Sequence, residues 1–359
     1  MKSKGKLIYI APGNPTFVQR DINFLLRSYT VIPLLYPWSP KIRIPLLFFR
    51  QAVEITRYLH SAKAIIVMFG GYWSLIPSLF GKLFNRPVYI IPGGTDCVSF
   101  PELNYGSLRK PLLRIFIKWS YQLCTRLAPV DHSLALSDYS YDTETTYPKQ
   151  GFRYFFPKLT TPHTVIYNGF DPEFWNRDHF VSRNLNSFIT VGTIPNETRF
   201  ILKGMDLVCH LAGNLPQSEF IIIGISAYMK TKIPPDLKNV RCYDFLSADR
   251  IKALLSGSEF YLQLSVSEGF PNALCEAMLC ECIPIGSNVG AIASIIGDSG
   301  YVVPKRDEQA ILEKVKNILS MDPGRRKALG ASARQRIIEN FSLSDRERAL
   351  VRLIEGTME

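Results

Sequence analysis

Two glutamates, Glu268 and Glu276, bracket a segment whose residue types could bind an anionic ligand that carries hydroxyl groups. An apolar run ends shortly before Glu268, and a Gly-Phe-Pro turn leads into a helix predicted to begin near Asn272. Backbone N–H groups at a helix start attract anions, and Gly269 lets the backbone approach a ligand without an intervening β-carbon. The Glu276 carboxylate, one turn into the helix, can accept hydrogen bonds from two hydroxyl groups. The alternative is a capped helix with two solvated glutamates, because such a spacing is common by chance.

A lysine at a second predicted helix start could add positive charge to the same kind of site. Lys203-Gly204 opens a helical pattern over residues 203–215 that follows the apolar run 188–192. An ammonium at this position suits contact with an anionic group of a ligand. On the residue pattern alone, an exposed lysine at a helix start is the alternative.

The elements that must position these residues alternate between strands and helices. In the second half, short apolar runs separated by helical patterns indicate strands buried on both faces of a parallel sheet; they occupy residues 188–192, 219–226, 239–245, 259–266, 282–288 and 300–304. Two helices, 307–320 and 324–357, close the chain. The first half repeats the plan, and its last strands are expected at 133–137 and 164–169. Residues 169–187 lack periodicity, which places the domain junction there.

Length and composition agree with two globular domains in a cytoplasmic protein. The 359 residues suggest two domains of about 150 residues each. Seven cysteines form no C-x-x-C pair or Cys/His cluster with zinc spacing, and the Cys280/Cys282 pair lacks a nearby histidine, so reduced thiols are expected. The first apolar run ends at Pro12-Gly13, too early for a signal peptide, and no run approaches the ~20 residues of a membrane span.

The segment from Ser265 to Met278 resembles the E-x7-E donor motif of retaining GT-B glycosyltransferases, specifically glycosyltransferase family 4. Three further stretches are similar to the same family: VIYNGFDPEFW (165–175), VGTIPNETRFILKGMDL (191–207) and FSLSDRERALVRLIE (341–355). The resemblance covers most of residues 160–359. It implies an α/β chain with the GT-B fold, in which two doubly wound Rossmann-like domains face a cleft.

The implied domains are an acceptor-binding domain over residues 1–170, a nucleotide-sugar-binding domain over 171–340, and a C-terminal helix over 341–359 that crosses back to the first domain. Ligands in such folds bind beyond the carboxyl ends of the strands.

The resemblance also implies roles for individual residues. Glu268 would contact the donor sugar, Glu276 the ribose, and Lys203 the donor diphosphate. The rest of the donor site implied by the motif consists of Gly269, Phe270, Pro271, Asn272 and Ala273. Loops after two further strands would hold the nucleobase through Gly224, Ser226 and Phe245, with a core aromatic as the alternative for Phe245.

One departure from the family concerns the second cation on the diphosphate. The family commonly has arginine directly after the Val-Gly of the 188–192 strand, where this chain has Thr193. We expect Arg199, four residues before Lys203, to replace it. Because cations can stabilise the leaving diphosphate and no Asp-x-Asp is present, we expect catalysis without a metal or other cofactor.

On the acceptor side, the resemblance points to the loop with Gly13 and Asn14 and to Gly94 and Asp96. An ordinary tight turn is the alternative for the first loop. Many relatives carry a histidine against the donor sugar near Gly93, where this chain has glycine. The segments 92–96 and 101–106 resemble a bacterial subset linked to surface-polysaccharide assembly.

Positive charge is concentrated in the first half. Residues 1–175 carry 20 Lys and Arg against 10 Asp and Glu, whereas the remainder carries 22 against 21. In 108–126, Lys110, Arg114 and Lys118 recur every four residues, which predicts a cationic helix face. That face is either solvated or docked on an anionic membrane. No nucleic-acid-binding motif accompanies the charge, so nucleic acid is not an expected partner.

The sequence therefore predicts a glycosyltransferase that uses a UDP- or GDP-sugar, with a glycan or lipid-linked glycan acceptor, at the inner face of a bacterial plasma membrane. Two alternatives remain. A GT-B sugar-nucleotide epimerase would share the architecture, and a non-catalytic, membrane-associated subunit would fit the departures at Thr193 and Gly93. A Ser/His/Asp hydrolase is excluded because G-x-S-x-G is missing.

Overall fold

The computed structural model describes residues 3–357, apart from the side chain of Lys41. The first two and last two residues of the expected domains lie outside this range. The chain forms two compact units. The first contains the described parts of Met1–Asp138, Lys149–Tyr167 and Ser344–Glu359, and the second contains Tyr139–Pro148 and Asn168–Leu343.

The first unit is built on a five-stranded parallel sheet with the order β2-β1-β3-β4-β5. Its strands are β1 (Lys6–Ala11), β2 (Thr30–Leu35), β3 (Ala62–Met68), β4 (Val88–Ile91) and β5 (Arg126–Leu127). Its helices before the domain junction are α1 (Thr16–Leu25), α2 (Ile44–Leu59), α3 (Tyr72–Leu83), α4 (Pro111–Leu123) and α5 (Phe152–Phe155). The central strands are continuous apolar runs because helices cover both faces of a parallel sheet.

The prediction of two strands at the end of this unit, over 133–137 and 164–169, is wrong. Residues 133–137 enter a 3-10 turn, His132–Leu134, and then β6 (Ser137–Asp138), which pairs antiparallel with β7 (Lys149–Gln150) outside the main sheet. Residues 164–169 form no strand. The N–H groups of Thr164 and Ile166 donate to Leu127 O in β5 and to Pro129 O just after it. The pairing goes no further, because Pro129 and Pro162 have no N–H to continue a ladder.

The second unit is built on a six-stranded parallel sheet with the order β10-β9-β8-β11-β12-β13. Its strands are β8 (Asn184–Ile194), β9 (Glu219–Ile225), β10 (Val240–Tyr243), β11 (Ser258–Gln263), β12 (Ile283–Ser287) and β13 (Tyr301–Val303). Its helices are α6 (Glu197–Leu202), α7 (Met205–Asn214), α8 (Ala227–Lys230), α9 (Ala248–Gly257), α10 (Asn272–Leu279), α11 (Ile292–Ile296), α12 (Glu308–Leu319) and α13 (Pro323–Asn340).

The helix predicted over 324–357 is in fact two helices, α13 and α14 (Leu343–Glu355). The break falls where Phe170 pairs with the chain: its N–H donates to Phe341 O at 3.0 Å and its carbonyl accepts from Leu343 N–H at 3.1 Å. These bonds satisfy backbone groups that a continuous helix would have used internally.

From Ser344 onward, α14 belongs to the first unit, where a buried ion pair holds it. The Arg346 guanidinium donates two hydrogen bonds of 2.7 Å to the Asp21 carboxylate, and both side chains are almost fully buried. Arg346 also donates to the carbonyls of Ile166 and Tyr167, and the Tyr9 hydroxyl donates to Asp21. The two charges are therefore satisfied on all sides, as a buried pair must be.

We predict that Arg346→Ala lowers the free energy of unfolding by about 3–5 kcal/mol, because it leaves the Asp21 carboxylate buried without its cation. Chemical denaturation of the full chain measures this change. Arg348→Ala on the same helix is the matched control, since Arg348 forms an exposed pair with Asp345. Equal stabilities for the two variants would show that the buried pair does not hold α14.

Candidate active site

The candidate site lies where β8 and β11 end, in the second unit. The two strands are parallel neighbours, with Phe260 opposite Phe188 and Tyr261 opposite Ile189. Their carboxyl ends therefore meet at one edge of the sheet, and the segments that follow each strand come together. The Val266 N–H donates to Leu202 O at 2.8 Å, which ties the segment after β11 to the end of α6.

Lys203 and Glu268 form an ion pair at this edge, 65 residues apart in sequence. The Lys203 Nζ lies 2.5 Å from Glu268 Oε1, and both side chains are largely buried. The same oxygen accepts from Ser265 Oγ at 2.9 Å and from Gln263 Nε2 at 3.1 Å. The carboxylate is thus held in one orientation by three donors, which suits a group that must position a ligand.

Gln263 and Ser265 contact Glu268 but are not among the site residues that the sequence predicts. A signal was present, because both are buried polar residues that follow the apolar run 260–262 of β11. Gln263 is the last residue of the strand, and Ser265 lies two residues beyond it. Gln263 also donates to Ser265 Oγ at 2.8 Å and accepts from the Tyr261 hydroxyl at 3.2 Å. These residues form a buried polar network under Glu268.

The backbone at Lys203 depends on the glycine that follows it. Gly204 has a φ of +70°, and a β-carbon there would lie 2.2 Å from Leu264 O. No other residue type fits this close approach without moving the backbone. The glycine therefore fixes the path of the chain that presents Lys203 next to the segment after β11.

The turn between Glu268 and α10 is anchored by packing. The Phe270 ring is buried against Phe170 and Phe341, with ring centroids 6.2 Å and 5.3 Å away. The Gly269 carbonyl accepts from Ala291 N–H at 3.1 Å. With its ring occupied by packing, Phe270 can serve a ligand through its backbone alone.

The first turn of α10 begins after Pro271, and no side chain in the described part of the protein caps it. The Asn272 Oδ1 accepts a 2.8 Å hydrogen bond from Asn168 Nδ2, which places the Asn168-Gly169 turn beside the helix start. Ala273 is half-buried in the same turn. Backbone N–H groups at such a helix start favour an anion.

Glu276 is half-buried one turn into α10. Burial raises the pKa of the Tyr261 hydroxyl well above its usual range, and the negative charges of Glu268 and Glu276 add to this effect. Both glutamates therefore act on the same buried tyrosine under the sheet edge. The structure brings together the two carboxylates, Lys203 and the start of α10.

Arg199 lies in α6, one helical turn before Lys203, and is half-buried. Its carbonyl accepts the Lys203 N–H at 3.0 Å. Thr193 is exposed near the end of β8. Arg199 is thus on the element that leads into Lys203, and its role as the second cation stays a prediction.

Two of the expected nucleobase residues shape the backbone at the carboxyl end of β9. A β-carbon on Gly224, which has a φ of +87°, would lie 1.8 Å from Gly192 O, so glycine is required there. Ser226 caps α8 by accepting from Met229 N–H at 3.3 Å. Phe245 is 82% exposed after β10, so the alternative of a core aromatic is wrong and its ring is available for stacking.

In the first unit, Gly13 and Asn14 lie in the loop after β1. A β-carbon on Gly13 would meet no atom of residues 3–357 within 4 Å, so the loop is open on that side of the described chain. Asn14 is exposed, and its side-chain oxygen accepts from Gln19 Nε2.

Asp96, in contrast, is fully buried and holds the backbone around it. Its Oδ2 accepts from Gly70 N–H and the Tyr121 hydroxyl, both at 2.8 Å. Its Oδ1 accepts from the N–H groups of Gly93 and Gly94, both at 3.1 Å. Burial raises the pKa of the Asp96 carboxyl, while these four hydrogen bonds oppose the rise. The carboxylate therefore positions the loop that contains Gly94 and is itself closed off from solvent.

Within residues 3–357, no three His, Cys, Asp or Glu side chains are grouped so that they could hold a metal ion. In the same range, no helix is both long and apolar enough to cross a lipid bilayer.

Comparison with known proteins identifies the domain that contains this site. Residues 186–321 match the family described as glycosyl transferases group 1. The chain is 34% identical over 95 residues to N-acetyl-alpha-D-glucosaminyl L-malate synthase of Bacillus anthracis, which is 26% of this chain and 25% of that protein. It is also 34% identical over 100 residues to the capsular polysaccharide biosynthesis glycosyltransferase CapM of Staphylococcus aureus, 26% of each chain. These matches span about a quarter of each relative's length.

Solved structures confirm the expected α/β GT-B fold for the chain. Sucrose-phosphate synthase of Thermosynechococcus elongatus superposes with a TM-score of 0.76 over 99% of both chains at 13% identity. HepE of Anabaena, in complex with UDP-glucose, gives 0.74 over 98% of this chain and 100% of HepE, also at 13% identity. The resemblance to glycosyltransferases is confirmed for the group 1 domain.

We predict that Asp96→Asn destabilises the first unit by about 1–3 kcal/mol. The substitution replaces one acceptor oxygen by an NH2 group, which faces two donors and cannot accept their hydrogen bonds. The midpoint of chemical denaturation measures the loss. Asp138→Asn, at an exposed position, is the control and should leave the midpoint unchanged. Comparable midpoints in the two variants would rule out the structural role of Asp96.

Proposed function

We propose that this chain is a glycosyltransferase that moves a sugar from a nucleoside diphosphate sugar to a glycan or lipid-linked glycan, with retention of configuration. The observation that carries the proposal is the Lys203–Glu268 pair beside the start of α10. It lies inside the domain that matches group 1 glycosyl transferases. A cation, a fixed carboxylate and a helix N-terminus are the groups that a diphosphate sugar requires.

The diphosphate would bind between Lys203 and the first turn of α10. As the bond from the sugar C1 to the phosphate oxygen breaks, negative charge builds on the leaving diphosphate. Lys203, the α10 N–H groups and Arg199 would stabilise that charge. Because these groups are cationic or dipolar, we propose catalysis without a divalent metal.

Glu268 would orient the donor sugar, and Glu276 would hold the ribose. Glu268 keeps its position through Gln263 and Ser265, so a sugar hydroxyl that approaches it meets a carboxylate already in place. The loops at Gly224, Ser226 and Phe245 would hold the base of a UDP- or GDP-sugar.

Retention would follow from attack on the same face from which the phosphate departs. In this step the C1–O bond to phosphate breaks and the C1–O bond to the acceptor forms. The acceptor proton passes to the leaving phosphate oxygen, and the transition state is oxocarbenium-like. This route needs no separate general base.

For the acceptor, we propose a glycan or lipid-linked glycan of bacterial surface-polysaccharide synthesis. The named relatives include CapM and the putative colanic acid biosynthesis glycosyltransferase WcaL of Salmonella typhimurium, which is 28% identical over 120 residues. The cationic surface of α4 supports a cytoplasmic location at the inner face of the plasma membrane.

A thermal-shift panel of UDP-, GDP- and ADP-sugars tests the donor. One class should raise the unfolding midpoint by mass action, and EDTA should leave the shift unchanged. A shift that vanishes in EDTA and returns with manganese would contradict metal-independent binding. If the donor is consumed without any acceptor and yields only an epimer or free sugar, the chain is an epimerase.

Loss of either member of the ion pair should lower turnover by at least ~100-fold, the scale for removing one group that stabilises developing charge. Lys203→Ala and Glu268→Ala are compared in a coupled assay for nucleotide release with the donor found above. Lys316→Ala and Glu313→Ala, exposed in α12, are matched controls. Wild-type rates in the site variants would refute the assignment, and a wild-type chain that binds donor without turnover would indicate a non-catalytic subunit.

A further inference from the structure

The outer face of α2 carries an exposed apolar stripe. Leu46 and Phe49 are 67% and 70% exposed, and Val53 is also exposed. Their spacing of three and four residues places them on one side of the helix. The opposite side, with Gln51 and Ile55, is buried against the rest of the unit.

A second stripe of the same kind runs along α4. Leu112, Ile115 and Trp119 are exposed at spacings of three and four residues. The two helices meet where the Phe48 ring of α2 stacks on the Phe116 ring of α4, with centroids 5.8 Å apart. We call the six exposed side chains the apolar face: Leu46, Phe49, Val53, Leu112, Ile115 and Trp119.

The chain that forms this face is strongly cationic. Residues 22–130 contain 13 Lys and Arg but three acidic residues, Glu54, Asp96 and Glu102. Asp96 is buried, and Glu54 is paired with Arg50 and Tyr36. An apolar stripe on cationic helices is the pattern of elements that lie in a membrane interface.

A groove of about 610 Å³ opens beside the face, between α4 and residues 155–159. Arg114 shapes its wall, because its guanidinium donates to Phe155 O at 3.1 Å and lies over the Phe155 ring. Arg109, Lys118 and Lys158 also line the groove, and none of its described lining residues is acidic. The Arg109 Nε is buried and has no hydrogen-bond partner within the described chain. Ile115 lines the groove too, so groove and apolar face are continuous.

We propose that the apolar face and this groove dock the first unit on a bilayer that contains anionic phospholipid. The apolar face enters the boundary between headgroups and acyl chains, and the groove takes a lipid phosphate between Arg109, Lys118 and Lys158. The inference rests on the proposed membrane location of the protein and names the surface responsible for it.

The charge of the surface selects this occupant over a second copy of the chain. In a symmetric dimer, each patch would face a patch of the same kind, so cations would oppose cations. An anionic bilayer offers negative charge to the cations of this surface and an apolar layer to its exposed apolar side chains.

Co-sedimentation of the full chain with phosphatidylcholine vesicles, with and without phosphatidylglycerol, tests the proposal. The wild-type chain should bind the anionic vesicles preferentially. Leu46→Glu/Phe49→Glu and Ile115→Glu/Trp119→Glu should each lower the partition coefficient by more than about tenfold, because charged groups replace apolar ones in the interface. Lys118→Gln and Lys158→Gln should each lower it about fivefold.

Phe180→Glu and Lys316→Gln are the matched controls, since both side chains are exposed in the second unit. Circular dichroism and the donor-induced thermal shift verify that each variant is folded and binds donor. Binding by the face variants equal to wild type would overturn the proposal while leaving membrane association intact. If the wild-type chain binds neither vesicle, the docking surface and the proposed membrane location are both overturned. The transferase proposal is then still tested separately by donor binding. A wild-type dimer that the face variants convert to monomer, without vesicle binding, would assign the surface to self-association.

Discussion

The parallel pairing of β8 with β11 is the constraint on which the candidate site depends. The two strands end at the same edge of the sheet, so the loop that contains Lys203 and the loop that contains Glu268 meet there. Neither loop could hold its charged side chain largely buried without the other, because an unpaired charge in that position would be strongly disfavoured. The sheet therefore makes the ion pair, which marks the proposed donor site.

Around this pair, polar side chains and close backbone contacts remove freedom from the site. Gln263 at the end of β11 and Ser265 just after it hold Glu268 by hydrogen bonds. Gly204 lets the chain that presents Lys203 approach Leu264 O. A site fixed in this way needs little reorganisation when charge develops on a ligand, which is what electrostatic stabilisation of a leaving group requires.

The charged side chains of the first unit fall into two groups, one buried and one exposed. Inside, Asp96 and the Asp21–Arg346 pair are surrounded by hydrogen-bond partners and serve the fold. Outside, the cations around α2 and α4 stand beside exposed apolar side chains. The buried charges stabilise the fold, and the exposed ones are the basis of the proposed membrane contact.

The alternation of apolar runs and helical patterns determined the α/β class, and local patterns alone set the start of α10 at Asn272, because these features depend on short-range periodicity. The segment from Glu268 to Glu276 was likewise visible as a donor-site candidate. The local sequence does not reveal that Phe170 interrupts the last helix at Phe341, because that break comes from backbone pairing between residues 171 positions apart. Nor could it show that Asp96 is buried among four donors, that Phe245 is exposed, or that Gln263 supports Glu268. Each of these outcomes depends on which segments the tertiary structure places side by side, and burial and partnership are properties of that placement.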